Sequence, residues 1–228
     1  MDLCVSCYSL ILKYVEQLKQ ESPVKKKNFL HGLIGNMSNI FFTADTHFGH
    51  SNIIKHSNRP FANIQEHDRE LIRCWNEKVT QNDTVYHLGD FSYRTSMSYT
   101  ANIIKQLNGN IVLIKGNHDH LAQKISDTGL FPVDKFKLVS SYYELGEFKY
   151  IDAENNSQTG PSFALCHYPM RSWNQKHRGA IHLFGHCHGT ISDYCRSTDI
   201  GVDCWDYAPV PLDLVINYMK DKQNDEEY

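Results

Sequence analysis

No stretch of the 228-residue chain reaches the apolar length of a membrane span, and Asp2 stands where a secretory leader would begin its basic region. Neither a membrane association nor a signal peptide is therefore expected. Broad positive charge is also missing. Lys and Arg number 23 against 26 Asp and Glu, for a net charge of −3, which argues against binding extended duplex nucleic acid without excluding a nucleotide substrate. The seven cysteines are an odd number without framework spacing, so a disulfide scaffold is not expected and a reducing, cytoplasmic setting is. Cys4 and Cys7 form a solitary C-x-x-C with no second pair, and read as structural or incidental. There is no internal repeat and no low-complexity domain. What the chain holds in quantity is histidine, thirteen in all, the commonest side-chain metal ligand.

The length suits one domain with an extension. Leu3, Tyr8, Leu12, Val15 and Leu18 recur at roughly helical spacing before the polar break QESPVKKKN, so residues 1–36 read as an amphipathic helix plus linker. The domain proper spans 37–220 and a polar tail 221–228. Strands are expected at 39–44, 83–88 and 110–115, with helices at 62–79 and 96–107 between them. Further β-like runs lie at 136–140, 148–152, 162–167, 181–185 and 197–203. A closing helix at 211–220 begins with Pro211. Alternating β and α followed by mostly β predicts an α/β (α+β) fold of stacked sheets with helices outside.

The strand ends share one chemistry. FFTADTH closes with Asp45 and His47, VYHLGD with Asp90, IVLIKGNHD with Asn117 and His118, FALCH with His167, and IHLFGHCH with His186 and His188. Ligands of open α/β sheets collect beyond the carboxyl ends of the strands, so five segments can deliver one cluster. Asp45 and His47, like His186 and His188, are two residues apart, which in extended chain puts both on one face and turns Thr46 and Cys187 away. Gly89, Gly116 and Gly185 precede ligands, where a residue without Cβ allows a sharp turn. Mixed oxygen and nitrogen donors suit Mn²⁺, Fe or Zn²⁺ better than Ca²⁺. So many donors exceed the needs of one ion. Two divalent cations about 3.5–4 Å apart, sharing a carboxylate, are the usual device for displacement at phosphorus.

The ordered blocks ADTH, LGD, GNHD, LCH and GHCH resemble those of the calcineurin-like metallophosphoesterases, with no block missing. The runs FFTADTHFGHSNIIK, DTVYHLGDF, HYPM and GVDCWDYAPV are similar to a compact bacterial and phage-type branch of that superfamily, over roughly residues 37–216. The resemblance implies a four-layer αββα sandwich with the site at one edge. It implies that Asp45, His47 and His188 hold one metal, that Asn117, His167 and His186 hold the other, and that Asp90 bridges them. His118 corresponds to the family's non-ligand histidine near the scissile phosphate, a general acid for the departing oxygen, and Asp119 would orient its imidazole.

The expected activity is dimetal-dependent hydrolysis of a phosphate ester, most of all a phosphodiester of small or nucleotide type, with water activated by the cations as nucleophile. A nuclease and a phosphomonoesterase are the alternatives on the same fold; a non-catalytic metal-binding scaffold is the alternative of another class. No cap domain is inserted between the blocks, so the site is expected to be open. His50, Asn52, Arg94 and Arg171 follow the ligand segments and are candidate substrate contacts. His56, His67, His87 and His182 read as structural. Trp173 and Trp205 read as packing residues, with base stacking as the alternative. A monomer or homodimer is expected.

Overall fold

A computed structural model describes residues 39–151 and 156–223; residues 1–36, expected to be a helix and linker, and the end of the tail lie outside them. Eleven strands are assigned there: β1 (Ile40–Thr43), β2 (Thr84–His87), β3 (Asn110–Ile114), β4 (Phe136–Val139), β5 (Tyr142–Leu145), β6 (Phe148–Ile151), β7 (Ser157–Gly160), β8 (Phe163–Cys166), β9 (Ile181–Phe184), β10 (Ser197–Asp199) and β11 (Val210–Pro211). They form a five-stranded sheet in the order β11-β1-β2-β3-β4, a four-stranded sheet β10-β9-β8-β5, and the hairpin β6-β7. Strands β1 to β4 run parallel, as do β8, β9 and β10, while β11 and β5 are antiparallel edges.

The helices are α1 (Ile53–His56), α2 (Ile64–Lys78), α3 (Met97–Gln106), α4 (His120–Asp127) and α5 (Leu212–Met219). Local chemistry fixes the starts of α2 and α3. The Asn63 side chain accepts the Glu66 N–H while the Glu66 carboxylate accepts the Ala62 N–H, and Ser96 accepts the Tyr99 N–H. No helix among the described residues is long and apolar enough to cross a membrane.

The central parallel sheet is buried on both faces, so its strands read as continuous apolar runs. Alternate residues divide between two cores. Phe41, Val85, Ile111 and Leu113 pack beneath α2, α3 and α4 with Leu71, Trp75, Ile104 and Ile125. Phe42, Tyr86, Val112 and Ile114 meet Phe163, Leu165, Ile181 and Leu183 of the second sheet. The outward Ala164 of β8 is covered by Trp173 and Ala180, part of a segment whose only regular turn is the 3₁₀ helix Lys176–Arg178. The fold is thus the α/β two-sheet sandwich expected. Strand β5, helices α1 and α4 and the edge strands β7 and β11 were not expected; the run 197–203 divides into β10 and a 3₁₀ turn.

This topology brings the strand ends to one place. Thr43 pairs with His87 and Leu165 with Leu183, so the chain beyond each strand leaves at the same level. The Asp45 N–H donates to the Gly89 carbonyl (3.0 Å) and the Gly185 N–H to the His167 carbonyl (3.0 Å). Across the sheets, the His186 N–H donates to Asp45 Oδ2 (2.8 Å). The chain is tightly packed at Gly89, where φ is +92° and a Cβ would lie 2.6 Å from His167 Nδ1 and 2.7 Å from the Gly116 Cα. Gly89→Ala is therefore expected to destabilise the metal-free protein by about 1–3 kcal/mol through its backbone conformation alone, with the clash adding to this. Denaturant unfolding measures it, and a change below about 0.5 kcal/mol would contradict the close-approach argument.

Candidate metal centre

Two groups of donors gather beyond the strand ends. Asp45, His47 and His188 form one, and Asp90, His167 and His186 the other; within each group the candidate ligand atoms lie within 4.8 Å of one another. Asn117 joins the second, its Oδ1 3.0 Å from His167 Nε2. Asp90 stands between the groups, with Oδ2 3.6 Å from His47 Nε2 and 3.4 Å from His167 Nε2. The seven residues expected as ligands are thus in one place.

Extended chain does not bring them there. Asp45, His47, Asp90, His186 and His188 all have left-handed backbone, with φ between 48° and 69°. Each D-x-H and H-x-H segment is bent at both ligands by this left-handed backbone, not the straight ribbon on which alternation would operate. Thr46 still points away, its Oγ1 donating to the Phe91 carbonyl (2.9 Å) and lying 2.9 Å from His87 Nε2. Left-handed conformations of non-glycine residues cost on the order of 1–3 kcal/mol each and cluster where function demands them.

The donor set fits a cation on its own chemistry. Asp45 Oδ1 and His47 Nε2 are buried without a hydrogen-bond partner, 4.0 Å apart. Two donors bound to one ion at about 2.1 Å cannot stand more than about 4.2 Å from each other, a condition this pair meets. Buried polar atoms are otherwise nearly always paired. Burial pushes the Asp45 carboxyl up to about 7, against the pull of His167 and His188, and pushes the His47 imidazole down to about 2. For His167, burial acts downward, but the hydrogen bond and charge of Asp90, with Asp45 behind, raise it to about 9. Asp90 is the counterpart: burial acts upward, yet His167 and His47 hold its carboxyl below the usual range. At Asp45 and His47, a neutral imidazole beside a carboxyl that resists ionisation leaves positive charge as the missing component.

The calcineurin-like phosphoesterase family model matches residues 38–197, a span that contains every one of these donors. The chain belongs to that family. An uncharacterized protein of Methanocaldococcus jannaschii is 32% identical over 192 residues, covering 81% of this chain and 93% of its own. The gene 66 protein of Mycobacterium phage D29 is 28% identical over 201 residues, covering 81% of this chain and 98% of the phage protein. A crystal structure of a protein of unknown function from Aquifex aeolicus shares the fold, with a TM-score of 0.54 at 21% identity, over 77% of this chain and 96% of its own.

The remaining expected residues of this family member divide. His118 lies at the cluster: its N–H donates to Asp90 Oδ1 (2.9 Å), its Nε2 is 3.8 Å from Asp90 Oδ2, and its side chain is 32% exposed. Its ring meets Tyr93 edge-on at 4.4 Å. Asp119 does not orient it. The Asp119 carboxylate is buried and accepts the N–H groups of Gly116 (2.8 Å), Asp90 (2.8 Å) and Phe91 (2.9 Å), tying together the loops that carry Asp90 and Asn117. Three amides left over at strand ends outcompete the neighbouring imidazole.

His50 stands beside the first group, Nδ1 to Nδ1 3.4 Å from His47, and also packs against Tyr93 at 4.4 Å. Arg94 lies over the same Tyr93 ring at 5.1 Å. Asn52 is exposed at the start of α1, its carbonyl accepting from Lys55 and His56. Arg171 stacks instead on Tyr194 at 4.3 Å, and no contact among the described residues brings it to the donors. His87 and His182 are buried within the sheets, His182 accepting the Met170 N–H (3.1 Å). Sequence reasoning passed over Tyr93, Tyr168, whose hydroxyl donates to Asn117 Oδ1 (3.3 Å), and Asp203, which is 2.7 Å from His188 Nδ1. The run GVDCWDY contained Asp203, but nothing in it pairs an aspartate with a histidine fifteen residues earlier.

Proposed function

We propose that this phosphoesterase hydrolyses phosphodiesters of small or nucleotide type with the help of two divalent cations. The observation that carries the reading is the double donor group with Asp90 between its halves and the half-open His118 beside it. Asp45, His47 and His188 would hold one ion, Asn117, His167 and His186 the other, and Asp90 both. When bound, Mn²⁺, Fe or Zn²⁺ ions supply Lewis acidity at the phosphoryl oxygens and lower the pKa of water.

The chain's own residues do the rest. His118, pinned through its backbone to Asp90 and through its ring to Tyr93, gives a proton from its imidazole to the departing ester oxygen. His50 and Arg94, on the same rim around Tyr93, face the phosphate's free oxygens. This arrangement needs no covalent enzyme intermediate. His186 is exposed, which leaves the donors open to a substrate from outside.

Protein stripped with chelator and reloaded with Mn²⁺ is expected to cleave bis-p-nitrophenyl phosphate with a kcat/KM at least tenfold above that for p-nitrophenyl phosphate. A monoester preference would make it a phosphatase. Turnover of neither, with metals bound, would favour a non-catalytic scaffold.

A further inference from the structure

Asp203 does not stand alone behind His188. Arg59, whose side chain is fully buried, donates from Nε to Asp203 Oδ1 (2.8 Å) and from Nη2 to Asp203 Oδ2 (2.7 Å), a bidentate pair. The same guanidinium donates to the Asp45 carbonyl (2.7 Å) and to the Thr46 carbonyl (3.1 Å), and its Nη1 is 2.7 Å from His67 Nε2. An arginine only donates, so His67 accepts there through Nε2 and directs its Nδ1 proton to Asp68 Oδ1 (2.6 Å). The Asp68 carboxylate in turn accepts from the Gly49 N–H (2.9 Å) and the Tyr99 hydroxyl. Every donor of the guanidinium thus serves the turn that carries Asp45 and His47, the aspartate that orients His188, or the brace on α2.

The pattern is selective. Asp45, His47 and His188 are the three members of one donor group, and Arg59 bears on all of them: Asp45 through its own carbonyl, His47 through the carbonyl of Thr46 just before it, and His188 through Asp203. The other group is held differently. Asp90 is fixed by Asp119, and His167 by the Leu88 carbonyl, 2.8 Å from its Nδ1. No hydrogen bond among the described residues runs from Arg59 to Asp90, Asn117, His167 or His186.

We propose that Arg59 is a positioning residue for one metal site only, fixing the left-handed Asp45–His47 turn and the tautomer and direction of His188 so that these three donors converge. The inference rests on the metal-binding reading above and not on the substrate. A charged pair buried this completely costs desolvation and is weak support for stability by itself, but breaking it leaves an uncompensated charge behind the ligands. Partners of metal ligands typically contribute 10–100-fold to metal affinity.

The test is a Mn²⁺ titration of chelator-stripped protein, with metal per chain measured after desalting and electron paramagnetic resonance reporting whether the ions are coupled. Wild type is expected to hold two ions per chain as a coupled pair; if it holds none, the metal reading itself fails. Arg59→Met is expected to retain one ion at wild-type affinity and to weaken the other 10–100-fold, replacing the coupled spectrum with that of an isolated ion. Arg59→Lys, which cannot form the bidentate fork, should recover only part of the loss. Asp203→Asn keeps the shape of the pair and decides the matter should Arg59→Met fail to fold; it should lose the same single ion. Two ions bound at wild-type affinity in these variants, or equal loss of both, would overturn the proposal and leave Arg59 as a core tie.

Discussion

Asp90→Ala is expected to bind neither metal ion at concentrations that saturate wild type, and to lose turnover to within the background reaction, a fall of 10⁴-fold or more. The Asp90 carboxylate stands among donors of both groups and beside His118. Its Oδ2 lies 3.6 Å from His47, 3.4 Å from His167 and 3.8 Å from His118, and its Oδ1 accepts the His118 N–H. Truncation removes the shared donor and leaves His167 Nε2, already raised by this carboxylate, without its main charge partner. The metal-free variant should be destabilised by about 2–4 kcal/mol through unpaired buried groups. Asp90→Asn separates charge from shape: it keeps an acceptor for the His118 amide, so the fold should survive while both ions are lost. Metal per chain after desalting, set beside an unfolding curve, reads the two effects independently. One ion retained at wild-type affinity would assign Asp90 to a single site.

His118→Ala is expected to do the reverse, keeping both ions while kcat falls 10²–10⁴-fold. The side chain is 32% exposed and faces Tyr93 rather than the core, so unfolding should shift by less than about 0.5 kcal/mol. Its role as acid adds a sharper expectation. A p-nitrophenolate group leaves without much help, whereas an alkyl alkoxide needs a proton, so the loss should be several times larger for a diester with an alkyl leaving group. Equal loss for both would move His118 from proton donor to phosphate contact, and unchanged turnover with full metal occupancy would remove it from the mechanism.

The donor cluster was legible because parallel strands announce themselves as apolar runs and their ends can only meet on one side of the sheet. Asp45, Asp90, Asn117 and His167 each follow such a run directly. What the residues left hidden works over distance or through backbone. Arg59 and Asp203 are 144 positions apart and meet only after both sheets are built. Asp119 looked like a partner for the histidine beside it, but the amides competing for its carboxylate come from the turn after β2 and from Gly116. The geometry of the ligand turns was hidden for a related reason: a period-two pattern signals extended chain only within a regular strand, and beyond Thr43 and Phe184 the regular strands have ended. Short elements escaped as well. Strand β7 is SQTG, a polar edge without alternation, and α4 has only eight residues in which to declare a helical face.

The left-handed turns also set terms for anyone who would redesign the chain. The routine remedy for a non-glycine residue at positive φ is glycine, which occupies that region freely. At Asp45, His47, Asp90, His186 and His188 the remedy would erase a donor each time, so a more robust protein made that way would be a disarmed one. Asn58, Gln175, Cys195, Asp206 and Tyr207 share the conformation and lie outside the donor set. They are where thermostability can be sought while the centre is left alone.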